Sequence, residues 1–484
     1  VTDYYVSTSG SNSNNGLSTL TPWLTLSHAN ANTISGDRIF HLSGGVWNDQ
    51  YYNFSHAITL DVYNGASRWV LDYDGTVGSD YFALITLQAS NSSVNSCELR
   101  NNLSGSDPVT GGRAIVWEGN NVTVDDCYIH EMGTSGVLRN FSGDGSVVSN
   151  STFEHTDVFN TAYAPGGYPG GGWGGAIAGI GGSGEIIGYS VRDCQIFECG
   201  GEGVSIHTTG SVPGENVTVE DTDLMGVWAV GIYLTSIHDA IIRRNIVLGT
   251  TNSDYHRNSS YCGAGIAQDI EPWQDVGSDN DNHHVYLNLV AYCYNGLYLS
   301  EGLSGADISN VHIAHNTLID NLYAFHVGAG ASVSGTNIVE QNASIPISVG
   351  TDHDDGTNIP GASGWTFRGN FWSGGGEHAN LNSGTDFSDS AWTPAKSSGW
   401  QAISALNDIA IADWRPDTQV LGTQYTNPDT GANWTDYEGS TNFREAGALT
   451  LATAGSASAF QRIQGLQGGF GAQRSQRLGG EIER

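Results

Sequence analysis

Val285 to Glu301 reads VYLNLVAYCYNGLYLSE and holds one unit of a long repeat. Apolar Val285 stands three residues before Asn288, and apolar Val290 two residues after it. Eight residues past the asparagine, Gly296 opens an alternating run, Leu297-Tyr298-Leu299-Ser300, with Glu301 just beyond. Alternation of this kind is the mark of a half-buried strand. The same apolar-x-x-polar-x-apolar pattern recurs with its polar position at Cys97, Cys127, Ser151, Cys194, Thr222, Asn245, Asn288, Asn316, Asn342 and Asn370. Compact spacings run from 23 to 30 residues, and two of 43 carry insertions. Ser344, two past Asn342, is the one break in the second apolar column.

Units of about 25 residues made of short strands and turns predict the coils of a parallel β-helix, an all-β solenoid. Equivalent residues of successive coils then stack about 4.8 Å apart. Stacked asparagines at that spacing can hydrogen-bond side chain to side chain and satisfy buried turn groups. Cys97, Cys127 and Cys194 fill the same column as small, semi-polar members. Cys262 and Cys293 each stand three residues before a strand-opening glycine, Gly265 and Gly296. Adjacent coils would make these two the best disulfide candidates.

Composition agrees with that architecture. Sixty-six glycines among 484 residues, with 10% aromatics, suit many short strands joined by tight turns. No run of eighteen apolar residues exists to predict a membrane span. No secretory leader is visible, and numbering from Val1 is what either a cleaved leader or a removed methionine would leave. Fifty acids against seventeen bases give a net charge of −33, and Lys396 is the single lysine. Such a field repels nucleic acid and anionic membranes. The six cysteines form no CxxC pair that would suggest zinc.

Four regions follow. Residues 1–47 contain YYVSTSGSNSNNGLSTLTPWLTLSHA and GDRIFHLSGGVW, and Leu24, Leu26 and Ala29 suit a short helix. An amphipathic segment there would form an N-terminal lid over the raw end of the strand stack. Residues 48–373 are the solenoid. Residues 374–450 hold Trp392, Trp400 and Trp414 and would cap its other end. In the tail, 451–484, four arginines oppose Glu481 and Glu483, so 4 − 2 = +2 and the rest of the chain carries −35. A basic tail on an acidic body suggests docking onto that body, onto a second copy as a homo-oligomer, or onto virion subunits.

The opening stretch resembles that of many right-handed parallel β-helix proteins, and AIVWEGNNVTVDDCYIHEM resembles coils of the pectate-lyase-like superfamily. DWRPDTQVLGT and DYEGSTNFREAGAL resemble closing segments of bacterial and phage β-helix proteins. The resemblance spans roughly residues 1–450. It implies a right-handed solenoid of at least ten coils, with N-terminal lid and C-terminal cap, of the kind found in secreted polysaccharide-active enzymes and phage tail spikes. The familiar polygalacturonase motifs are absent. Asp125 and Asp126 immediately precede Cys127, where they would decorate a turn.

Chemistry is expected where the repeat stops explaining the residue choice. On the strand after each ladder residue, Val204/Ile206, Ile232/Leu234, Leu297/Leu299 and Phe325/Val327 should point inward. Ser205, His207, Tyr233, Asp269, Tyr298, Ser300 and His326 should point outward, with Glu202, Glu271 and Glu301 at the strand edges. Long loops flank this face at 160–174, 249–262 and 268–284, the last containing Trp273. Rings, imidazoles and carboxylates together suit carbohydrate. Asp269, Glu271 and Glu301 are the candidate glycosidase acid and its partner, with His207 and Tyr233 in the same groove. Glu202, Ser205, Tyr298, His326 and Trp273 are the candidate glycan-binding residues.

A lyase would instead use Tyr233 or His207 as base, and Arg243-Arg244 or Ca²⁺ against a uronate carboxylate. Asp275, Asp279 and Asp281 are the candidate Ca²⁺ ligands, although no EF-hand spacing surrounds them. The expected partner is a polysaccharide or cell-surface glycan, met outside the cell or on a phage particle. A non-catalytic adhesin, fibre or decoration component, with the solenoid as a glycan-binding or assembly rod, is the alternative.

Overall fold

The computed structural model describes residues 1–73, 83–102, 112–141, 145–154, 156, 174–181, 186–249, 255–257, 261–270, 279–301, 307–314, 316–319, 321–327 and short strands between 333 and 387. The expected C-terminal cap beyond 387 and the 451–484 tail lie outside them. Equivalent strands of successive coils pair in parallel, and the chain winds as a right-handed β-helix. Among the described residues, three sheets of 13, 13 and 12 strands run along the solenoid, and a fourth has five. One coil shows the pattern: Val147–Ser149 joins the first sheet, Thr152–Glu154 the second and Gly175–Gly181 the third. One antiparallel pair, Ala379–Leu381 with Thr385–Phe387, ends the described part.

The apolar columns read from the repeat form the core. Val94, Val124, Val148, Val191, Val219, Ile242, Val285 and Ile313 stack in register across eight coils, none more than 2% exposed. Each such side chain contributes about 1.5–3 kcal/mol of burial. The turn after this strand is tight because the residue before each ladder position is left-handed. Ser96, Asp126, Asn150, Asp193, Asp221, Arg244 and Leu287 have φ between 49° and 57°. That conformation is unfavourable for side chains such as those of Arg244 and Leu287, and the ladder hydrogen bonds hold it. Asn288 Oδ1 accepts from both the backbone N and Nδ2 of Asn245, each at 3.0 Å. Its own Nδ2 donates to Ile242 O and to Asn316 Oδ1, each at 2.9 Å. Asp126, set in this turn, pairs with Arg68 at 2.7 Å, and Asp125 accepts from Ser149 at 2.6 Å.

A second ladder runs five residues further on, through Asn102, Met132, Thr156, Cys199, Val227, Cys293 and Asn321, all buried. Thr156 donates to Cys199, and Asn321 Oδ1 accepts from the Cys293 backbone at 2.9 Å. Its mixed chemistry hides it from a sequence pattern.

The six cysteines are buried thiols outside any disulfide, including the expected pair Cys262 and Cys293. Those two do stack in register on adjacent strands. Parallel in-register neighbours present their Cβ bonds side by side at about the 4.8 Å strand spacing. A disulfide needs its Cβ atoms nearer, at about 3.8 Å, and turned towards each other.

At the N-terminal end the helix Leu26–Asn32 buries Leu26 and Ala29, with Thr25 capping the His28 N–H. Leu24 falls before the helix and is partly exposed, its carbonyl accepting from Trp47 Nε1. Asp3–Val6 and Asp37–Leu42 already belong to the first sheet, so the segment read as a lid also supplies strands. Trp23 stacks on Tyr4, and His41 stacks on Trp69 at 3.8 Å between ring centroids.

Candidate functional site

The site is built on six neighbouring strands of the third sheet. They are β1 (Gly175–Gly181), β2 (Glu202–Thr208), β3 (Val230–Thr235), β4 (Cys262–Ile270), β5 (Cys293–Glu301) and β6 (Tyr323–Val327). Val204, Ile232, Ile266, Leu297 and Phe325 form the expected inward column, at most 2% exposed. The preceding glycines point inward as well. A Cβ on Gly231 would come within 2.5 Å of Gly265 O, and one on Gly265 within 2.2 Å of Val290 Cγ1. Two consecutive inward residues break the alternation, much as a bulge does. The residue before each glycine and the residue two after it therefore share the outer face.

That break produces a concavity. The outward column Ser205, Tyr233, Ala267, Tyr298, His326 runs beside a second, Glu202, Val230, Ala264, Asn295. In β4 both outward positions are alanines, which make a floor. Val230 and Tyr233 on one side, Asn295 and Tyr298 on the other, are its walls. The result is a cavity of about 770 Å³, lined also by His207, Asp269, Tyr294, His326, Glu202 and Arg257. Tyr233 and Tyr298 pack over Ala267, which is only 1% exposed, so the cavity meets their rings and hydroxyls above that floor.

Electrostatics are set by burial. Burial pushes the His207 imidazole down to about 4 and lowers His326 too, so both are neutral near pH 7. His326 Nδ1 lies 3.1 Å from Asn295 Oδ1, and its ring meets Tyr298 edge-on at 5.2 Å. Arg257 lies over the Trp228 ring at 5.6 Å, a cation–π contact at the cavity rim. His207 is in register with Thr235. Extending the β3–β4 register by one residue from Leu234–Gln268 sets Asp269 beside Thr235. His207 and Asp269 thus flank Thr235, roughly 9–10 Å apart between Cα atoms at two strand spacings.

Of the residues expected to act, His207, Tyr233 and Asp269 are brought together, and Glu202, Tyr298 and His326 join them in the lining. Ser205 is 2% exposed and packs beside Tyr233 in register without lining the cavity. Glu301 ends β5 with its backbone in register with Ile270; its side chain, like Glu271, Trp273 and Asp275, lies outside the described residues.

Asp279 and Asp281 sit on the fourth sheet, in Asp279–Asp281. Asp279 meets His238 Nε2 at 2.9 Å, and this hydrogen bond raises the His238 pKa. Burial alone would raise Asp281, but hydrogen bonds from Ser309 and Asn310 outweigh it and hold its carboxyl below the usual range. Among the described residues no three imidazole, thiol or carboxylate groups converge on a metal position. Arg243 and Arg244 lie away from the cavity, on the first sheet and its turn. There they pair with Glu220 and Asp221 at 2.7 Å each, so they do not supply the cation expected of them.

Arg257, Tyr294 and Asn295 escaped the sequence reading. The glycine column was the available signal for Asn295, because an inward glycine turns its predecessor outward. Arg257 belongs to the 249–262 insertion, already marked as a functional loop, but nothing in its neighbours singles it out.

No protein-family model matches the chain, and no curated protein matches it in sequence. Solved structures share the fold. A rhamnogalacturonan lyase is 15% identical with a TM-score of 0.51, covering 76% of this chain and 87% of that one. Pectate lyase Pel9A is 16% identical with a TM-score of 0.46, covering 89% and 88%. The Dettilon tailspike protein is 13% identical with a TM-score of 0.45, covering 74% and 63%. At 15% identity the likeness to the rhamnogalacturonan lyase speaks for the β-helix fold alone.

Proposed function

We propose that this β-helix binds a polysaccharide in the third-sheet cavity and cleaves it there. The observation that carries the reading is one cavity lined by Tyr233 and Tyr298 together with His207 and Asp269. Sugar rings present apolar faces that stack on tyrosine, and hydroxyls that need the polar edge groups. Asp269 would protonate a glycosidic oxygen or activate water, with its partner among Glu271 and Glu301 just beyond. Neutral His207 can accept a proton, and Tyr233 can donate one; in a lyase either would be the base. Glu202, Tyr298 and His326 hold the sugar, with Ser205 supporting Tyr233 and Trp273 on the flanking loop. A Ca²⁺ ion at Asp275, Asp279 and Asp281 is retained only for the lyase form. An extracellular or phage-borne setting goes with such a substrate.

The non-catalytic rod is the second reading. Glu202 and Asp269, the described carboxylates of the lining, lie two strand spacings and five residues apart, roughly 19 Å between Cα atoms. A glycosidase pair needs carboxyl groups roughly 5–9.5 Å apart, so these two alone cannot be the acid and its partner. The test is incubation with a panel of neutral and uronate polysaccharides, reading new reducing ends and absorbance of unsaturated products. Turnover that Asp269→Asn abolishes supports the enzyme. Glycan binding without turnover anywhere on the panel moves the protein to the adhesin reading.

A further inference from the structure

The cavity's charge says which glycans it can hold. Between Gly174 and Ser334 the chain contains no lysine and four arginines: Arg192, Arg243, Arg244 and Arg257. Arg192 belongs to the first sheet, and Arg243 and Arg244 are engaged by Glu220 and Asp221. Among the described residues Arg257 is thus the one cationic side chain in the lining, where Glu202 and Asp269 oppose it. The formal balance is +1 − 2 = −1 among the lining residues. His207 and His326, which could have added positive charge, are kept neutral by burial. The sequence adds acids, not bases, at the ends of β4 and β5, as Glu271 and Glu301. The whole chain carries a net charge of −33.

We infer that the cavity takes an uncharged glycan, recognised by tyrosine stacking and hydroxyl hydrogen bonds, and discriminates against polyuronate and sulfated chains. The inference rests on reading the cavity as a glycan site. A polyanion has one guanidinium to meet and must bring each further negative charge up to carboxylates in a partly desolvated slot, where repulsion is strong. An uncharged chain meets the same carboxylates as hydrogen-bond acceptors for its hydroxyls, and the neutral imidazoles and Asn295 as further partners. The cavity, about 770 Å³, has room for pyranose rings, and Ala264, Val230 and Ile180 in its lining offer no charge of their own.

Calorimetric titration of the full chain tests this with neutral and uronate oligosaccharides of matched length, at low and high salt, with and without Ca²⁺. A neutral oligosaccharide is expected to bind with an affinity that salt leaves unchanged. The uronate series should bind at least roughly tenfold more weakly, and high salt and Glu202→Gln should both narrow that gap. Circular dichroism of the variant shows that it remains folded. Tighter binding of a uronate, alone or with Ca²⁺, overturns the inference while leaving the cavity a glycan site. Absence of binding to either series, with the fold intact, overturns the glycan reading and the inference with it.

Discussion

His326 Nδ1 lies 3.1 Å from Asn295 Oδ1 on the neighbouring strand, and this contact ties the two outward columns of the cavity together. A carboxamide oxygen accepts, so the proton sits on Nδ1 and Nε2 is left as an acceptor. Asn295→Ala should remove that constraint and weaken glycan binding roughly tenfold, about 1.4 kcal/mol. Long-range nitrogen–proton correlation spectra should show the Nδ1–H tautomer in the parent and a mixture in the variant. An Nε2–H tautomer in both would refute the arrangement.

Binding and chemistry should separate along the cavity. Tyr298→Ala removes a stacking wall, and we expect KM to rise with kcat little changed. Asp269→Asn and His207→Ala should instead lower kcat by about 10²–10⁴-fold, the usual range for a lost acid or base. Full activity in both would end their catalytic assignment.

Stability should fall on mild acidification, before the carboxylates titrate. His41 is pushed by burial down to about 3, and His207, His283 and His284 to about 4. A folded pKa below the unfolded value near 6.5 means the unfolded chain binds protons first. Folding free energy is therefore lost as pH drops from about 6.5 towards 4, by up to about 1.4 kcal/mol per pH unit for each such imidazole. His238, raised by its hydrogen bond to Asp279, acts in the opposite sense, but its contribution is complete once the pH is below the unfolded value near 6.5, so it does not offset the loss towards pH 4. Urea midpoints measured from pH 7 to pH 4.5 should decline steadily, and His283→Gln should flatten the slope. A midpoint independent of pH over this window would contradict the buried-neutral description.

The ladder and the glycine column should prove intolerant for different reasons. Asn288→Ala deletes four hydrogen bonds and strands buried groups of Asn245, Asn316 and Ile242, for about 2–4 kcal/mol. Gly265→Ala places a methyl group 2.2 Å from Val290 Cγ1 and should be at least as damaging. Gly179→Ala, whose nearest neighbour would be 3.4 Å away, is the matched control and should be nearly neutral. Denaturant melts of the three variants decide the order.

Much of this was legible in the linear pattern. Asn245, Asn288 and Asn316 announce their column because each coil must satisfy the same turn with the same chemistry. Alternation likewise placed His207, Tyr233, Asp269, Tyr298 and His326 on one face. Asn295 was missed because Gly296 breaks the alternation, and a period-2 pattern counts through a bulge as though it were straight strand. Arg243 and Arg244 read as available cations, but Glu220 and Asp221 reach them across the coil boundary. Cys262 and Cys293 were rightly placed side by side and wrongly bonded, since register sets proximity but not the direction of the Cβ vectors.

The unit at Val285 to Glu301 by itself determined that this is a β-helix, because a solenoid repeats its nearest-neighbour contacts and therefore repeats its residues. It also determined which of its members are scaffold: Asn288, Val290 and Leu297. Tertiary structure alone decided that Tyr298 is a wall and Ala267 a floor. A concavity is the difference between neighbouring coils, and that difference exists only once residues dozens of positions apart are brought one strand spacing from each other. The charge within the cavity was settled in the same way, by burial of His207 and by the one insertion that brings Arg257 to the rim.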